Sequence, residues 1–101
     1  MSKNSVPRLS AKELLILKLL ISRRSEWYGL ELVEHSDGEL KRGTIYVTLG
    51  RMEEKGLVES RREASDQAPT SIPRRLYKPT GLGERVLVAT EAYADSLNAF
   101  T

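Results

Sequence analysis

The longest apolar stretch of the chain, Leu14 to Ile21, is broken only by Lys18 and follows a polar segment ending at Ser10. Ser10 and Glu13 have the S-x-x-E spacing of a capping box, in which each side chain satisfies the other residue's free backbone N–H, and Leu9 and Leu14 stand where a hydrophobic staple would. The pattern predicts a helix from Ser10 to about Arg23 that is apolar nearly all round, the mark of a helix central to a core or shared with a partner. A second, shorter helix is predicted over Tyr28–Ser36 with Leu32 and Val33 inward. The Asp37-Gly38 turn ends it, glycine supplying the positive φ that other residues resist. Leu40 reads as a single bridging strand residue. Ile45, Leu49 and Met52 recur at i, i+4, i+7, the buried stripe of a third helix over about Arg42–Lys55, with Gly56 as its C′ residue. The opposite face presents Gly43, Thr44, Tyr46, Val47, Gly50, Arg51 and Glu54, which is slim for a solvated surface.

Leu57–Glu63 then reads as a strand and Arg74–Lys78 as its antiparallel partner, stopped by Pro79. Between them Ala64–Pro73, rich in Ser, Pro and small residues, reads as the tip of a hairpin. Thr80 can cap a last helix reaching about Asn98, about 28 Å long at the usual rise. Its apolar positions Leu82, Val86, Ala89, Tyr93, Leu97 and Phe100 form one stripe. The order helix–helix–helix–strand–strand–helix predicts a mainly α fold. Residues 1–79 form a winged helix-turn-helix of three helices and a two-stranded β-wing, with 1–8 a loose arm and 64–73 the wing tip. Residues 80–101 form one C-terminal dimerisation helix.

A chain of 101 residues holds one domain with a modest core, and dimerisation is a common way to add buried area. Hydrophobic residues at 40% and charged residues at 30% fit a globular chain, and no apolar run approaches the ~20 residues of a membrane span. No cysteine is present, which excludes disulfides, zinc–thiolate sites and thiol catalysis. With no signal-like N-terminus, a cytoplasmic location is the default. Net charge is only +2, but its distribution is uneven. Glu26–Leu40 holds acids and no Lys or Arg, whereas Lys41–Arg51 holds Lys41, Arg42 and Arg51 with no acid. Arg61, Arg62, Arg74, Arg75 and Lys78 then dominate the hairpin.

The segments Arg42–Val58 and Arg75–Gly83 resemble the PadR family. That family carries a Gly-Thr-x-Tyr-x-x-Leu-x-x-Leu/Met-Glu-x-x-Gly-Leu core and then Tyr-x-x-Thr-x-x-Gly. The matching residues are Gly43, Thr44, Tyr46, Leu49, Met52, Glu53, Gly56 and Leu57, then Tyr77, Thr80 and Gly83. Tyr28-Gly29-Leu30-Glu31-Leu32 is similar to the family's start of helix two. Lys41 departs from the Ser-type cap of many members, and Pro79 from an aliphatic residue. The single terminal helix resembles the family's short branch. The resemblance implies a dimeric transcriptional regulator, usually a repressor, on a pseudo-palindromic operator.

Phosphates supply most of the affinity of a DNA-binding protein and base edges the specificity. Lys41 and Arg42 at the start of helix three are candidate phosphate contacts, Arg51 a guanine reader, Thr44 and Val47 thymine-methyl contacts, and Tyr46 a phosphate donor. Arg61, Arg62, Arg74 and Arg75 are candidate wing contacts, and strand alternation sends about half of them to the DNA side. The same charges also read as solvated surface or as protection of edge strands. Leu82, Val86, Ala89, Tyr93, Leu97 and Phe100 are the candidate dimer interface. His35 alone makes neither a metal site nor a triad, and Trp27 reads as core or dimer filler, with an effector role open. Glu53 and Glu54 lack a partner His or Cys, and no phosphate-cradling glycine loop exists, so no catalytic residue, metal or cofactor is expected. The partners expected are double-stranded DNA and a second copy. A small-molecule effector has no support in the residues. The rival reading is a winged-helix protein–protein module without DNA affinity.

Overall fold

The computed structural model describes residues 8–23, 25–63 and 74–98, with side chains to residue 94 in the last helix. Residues 1–7 of the expected arm and the expected wing tip 64–73 lie outside the described residues. The order is α1 (Ala11–Ser22), β1 (Trp27–Tyr28), α2 (Gly29–Glu34), α3 (Ile45–Glu54), β2 (Val58–Arg62), β3 (Arg75–Pro79) and α4 (Gly81–Asn98). This is a mainly helical winged helix. The hairpin β2–β3 forms as read from the sequence, but the sheet has three strands, in the order β1-β3-β2, all antiparallel. Its third strand comes from Trp27 and Tyr28, paired with Tyr77 and Leu76, and not from Leu40, whose backbone bends there without pairing.

Local chemistry accounts for the helix ends. Ser10 and Glu13 make both capping-box bonds, at 3.1 and 2.9 Å. At the end of α3 the Gly56 N–H reaches the Glu53 carbonyl and the Leu57 N–H the Met52 carbonyl, a full Schellman motif with Gly56 at φ 76°. The Asp37-Gly38 turn follows α2 with both residues at positive φ, and the buried Ser36 hydroxyl accepts the Leu40 N–H beside it. The regular part of α3 begins at Ile45 and not at Arg42. Residues 42–44 form a turn, and Thr44 sits at φ −125°, outside helical geometry. Thr80 opens α4 by accepting the Gly83 N–H and donating its hydroxyl proton to the Gly56 carbonyl.

The core gathers Ile16, Leu17 and Leu20 from α1, Leu32 from α2, and Ile45, Leu49 and Met52 from α3. Trp27, Val58 and Tyr77 from the sheet, Val86 and Leu87 from α4, and Leu40 and Leu57 from the connecting segments complete it. Burying a large apolar side chain is worth ~1.5–3 kcal/mol, so this cluster fixes the mutual angles of all four helices. Among the described residues no helix is long and apolar enough to cross a membrane.

Candidate nucleic-acid interface

Helix α3 is anchored on its inner side and at both ends, which leaves one face free. Ile45, Leu49 and Met52 are buried, whereas Lys41, Arg42, Gly43, Thr44, Tyr46, Val47, Gly50, Arg51 and Glu54 are all exposed. At the C-terminal end Lys55 bonds the buried Glu13 carboxylate of α1 at 2.8 Å. Burial alone would raise the Glu13 pKa; the Lys55 ammonium and the Ser10 N–H outweigh it, and the carboxyl sits below its usual value. At the N-terminal end the Tyr46 ring covers Gly29 at the start of α2. Lys41, Arg42 and Arg51 form no salt bridge among the described residues. A Cβ added at Gly43 or Gly50 would meet nothing within 4 Å. The chain's own packing therefore does not require this slim face.

The wing arginines separate by strand register. Residues directly opposite in an antiparallel pair point to the same face, and the face alternates along each strand. Arg62 pairs with Arg75 and Ser60 with Tyr77, so these share a face with the buried Val58. That face looks toward α3: Ser60 donates its hydroxyl proton to Glu53 of α3 at 2.9 Å and accepts from Arg75 at 3.1 Å. Arg61, Arg74 and Lys78 lie on the opposite, outer face. There Arg61 grips Glu26 with two nitrogens at 2.8–3.0 Å, Arg74 stacks over Tyr28, and Lys78 pairs with Glu59. Tyr28 donates its phenol proton to Glu63. One arginine of each sequence pair thus joins the α3 side. The sequence reading missed Glu26, Glu53 and Ser60 as positioning groups. The signal available was the alternation of β2 set against the acids flanking β1 and α3.

Trp27 is core: it is buried, with the Arg23 guanidinium 3.9 Å over its ring and His35 edge-on at 5.2 Å. On α4 the inward face is Gly83, Val86 and Leu87, all buried. Val86, read from the sequence as part of the pairing stripe, is therefore satisfied inside its own chain and leaves that set, because α4 leans on α1 through this turn. Leu82 and Tyr93 remain exposed, Tyr93 by 68%, and Ala89 is half-buried. The Leu97 side chain and Phe100 lie outside the described residues. On the other flank of α4 a groove of about 710 Å³ runs between α1 and α4, floored by Leu20, Ile21, Pro79, Leu87 and Val88.

The sequence model of the transcriptional regulator PadR-like family matches residues 16–89. Among solved structures, a PadR-like transcription factor from Bacteroides fragilis is 30% identical, with TM-score 0.72 over 87% of this chain and 84% of that one. A PadR family regulator from Clostridium difficile R20291 is 26% identical, with TM-score 0.73 over 90% and 94%. A third, from Eggerthella lenta DSM 2243, is 31% identical, with TM-score 0.67 over 84% and 75%. A comparison with curated protein sequences returns no match. With its helix-three motif and its Tyr77-x-x-Thr80-x-x-Gly83 junction inside the matched span, which covers most of the winged helix, the chain belongs to the PadR-like family of transcriptional regulators.

Proposed function

We propose that the chain binds a pseudo-palindromic operator as a homodimer and represses transcription by occupying it, inside the cytoplasm. In this reading residues to 79 read DNA and the helix from residue 80 pairs two copies. The observation that carries it is the set of cations presented by the start of α3, by α3 itself and by the wing. Lys41 and Arg42 just before α3, Arg51 on it, and Arg62 and Arg75 on the strands project from elements that Glu53, Ser60 and Glu13 hold in register. Arg51 reads a base, Thr44 and Val47 touch bases, and Tyr46 and the remaining cations hold phosphates. Arg61 and Arg74 are outside this set, since both are engaged on the outer face.

Selection of bound duplexes from a random pool tests the reading and yields the operator together. If the cations of both subunits neutralise about six to ten phosphates, affinity falls ~10³–10⁵-fold between 50 and 200 mM salt. A protein–protein module gives no selected sequence and no salt-sensitive retention on duplex DNA, and that outcome rejects the proposal.

A further inference from the structure

We propose that Glu26 limits the strength of DNA binding: it occupies Arg61 as a phosphate would and so keeps the outer side of the wing from adding sequence-independent DNA affinity. The inference rests on the DNA-binding reading and concerns the same interface.

Glu26 stands one residue before β1, and Arg61 lies on the outer face of β2, opposite Leu76. The guanidinium Nε lies 3.0 and 2.9 Å from the two carboxylate oxygens and Nη2 lies 2.8 Å from Oε1. This is the planar fork with which arginine grips a phosphate. A carboxylate in that fork and a DNA phosphate compete for the same donors. The Arg61 guanidinium is exposed while Glu26 is half-buried, so solvent and a phosphate can reach the arginine from outside.

The neighbouring cations of that face have partners too, one a carboxylate and one a ring. Lys78 meets Glu59 at 3.1 Å, and Arg74 lies 5.2 Å over the Tyr28 ring, whose hydroxyl is bonded to Glu63. The α3 side is arranged oppositely. Arg62 and Arg75 form no salt bridge among the described residues. On the outer side Arg61 and Lys78 are thus paired with carboxylates, whereas on the α3 side neither Arg62 nor Arg75 is, among the described residues. Each Lys or Arg that reaches a phosphate strengthens binding to every sequence alike. Withholding Arg61 therefore lowers affinity for operator and unrelated DNA together and leaves their ratio, which sets specificity, to the base-reading residues.

The test compares the full-length wild type with Glu26→Gln, Arg61→Gln and the double variant, on the selected operator and on an unrelated duplex of equal length, across a salt series. Glu26→Gln is expected to tighten the unrelated duplex several-fold and to steepen its log K against log[salt] by about 0.9 per chain. The operator tightens by the same factor, and the operator-to-unrelated ratio stays where it was. Arg61→Gln alone is expected to leave the wild-type slope in place, and the double variant to behave like Arg61→Gln. An unchanged slope for Glu26→Gln on a wild type that does bind DNA overturns this inference alone. So does a gain that persists in the Arg61→Gln background, because it then reflects bulk charge. A flatter slope for Arg61→Gln alone also overturns it, because Arg61 then already contacts DNA. A wild type that binds neither duplex overturns the DNA-binding reading and this inference together.

Discussion

The Tyr46 ring occupies the space that a side chain on Gly29 would need: a Cβ built there lies 2.7 Å from Tyr46 Cε1 and 3.1 Å from Cζ. The contact joins the first turn of α3 to the first turn of α2, so it sets how the two helices of the helix-turn-helix meet. Gly29→Ala is expected to push the ring off this seat and, because the ring is the outer end of an exposed side chain, to cost no more than about 1 kcal/mol. In a Tyr46→Ala background the same substitution should cost close to nothing, and a double-mutant cycle from denaturant midpoints reads the difference. Equal costs in both backgrounds would mean that the ring is not the obstacle.

Gly83 makes a harder contact. An added Cβ would stand 2.1 Å from the Leu57 carbonyl oxygen and 3.0 Å from its carbon. Gly→Ala inside a helix ordinarily gains up to about 1 kcal/mol from propensity. Here the obstacle is backbone, which cannot rotate away, so the clash wins and α4 must lift from the wing. Gly83→Ala is therefore expected to lower the unfolding midpoint, whereas Gly50→Ala, where a Cβ meets nothing within 4 Å, should raise it.

Much of this was legible in the sequence because it depends on local chemistry. The capping box at Ser10 and Glu13, the left-handed Gly38 and Gly56, and the stripe Ile45, Leu49 and Met52 are short-range signals, and all appear in the fold. What escaped depends on contacts far apart along the chain. Two residues, Trp27 and Tyr28, are too few to show strand alternation, and they form β1 only because β3 offers an edge. Val86 lies on the apolar stripe of α4 and also on its inward face, and only the docking angle against α1 shows which use prevails. The separation of Arg61 from Arg62 follows from alternation, but which face meets α3 required the Ser60–Glu53 bond.

Acid should unfold the chain through a small set of carboxylates. Glu13, Glu26 and Glu31 all have pKa values held below the ordinary 4.5. Burial opposes the shift at Glu13, where Lys55 and the Ser10 N–H prevail; Arg61 lowers Glu26, and the Tyr28 N–H and Arg23 lower Glu31. Groups with depressed folded-state pKa values contribute stability that is present above the unfolded value and lost as pH falls through the folded one. Stability is thus expected to fall from about pH 4.5 downward. Glu13→Gln should be less stable at neutrality and show a shallower acid limb in a pH series of thermal melts. An acid limb as steep as the wild type's would remove Glu13 from this set.

Within the proposed interface, base reading and phosphate holding separate by mutation. Arg51→Ala is expected to lose ~1–3 kcal/mol on the operator and to relax preference at one base position per half-site. Arg62→Ala or Arg75→Ala should weaken every duplex alike and flatten the salt dependence. Equal loss on all duplexes for Arg51→Ala would move it to the phosphate-holding set. Glu53→Gln gives a finer check, since it weakens the acceptor that holds Ser60 and, through it, Arg75.

The dimer turns on which apolar surface of α4 is left over once the protomer has folded. Gly83, Val86 and Leu87 are spent on the chain's own core. Tyr93 is 68% exposed, two turns beyond Val86, and Leu82 and Val88 are exposed on either flank. In the proposed two-fold dimer the exposed stripe of each α4 meets the same stripe of its partner in one isologous contact. Binding two half-sites would require that contact to hold the two α3 helices about one DNA turn, ~34–36 Å, apart. Tyr93→Asp separates this arrangement from a monomer. In a monomer the residue is solvated and the substitution should change stability by no more than ~0.5 kcal/mol. In the dimer it places a charge in the seam and should give folded monomers with most operator affinity lost. Val86→Asp should instead unfold the chain, because it buries the charge in the protomer. Sedimentation of the wild type as a monomer at tens of micromolar, or a Tyr93→Asp chain that sediments and binds as the wild type does, would defeat the pairing and the two-half-site operator with it.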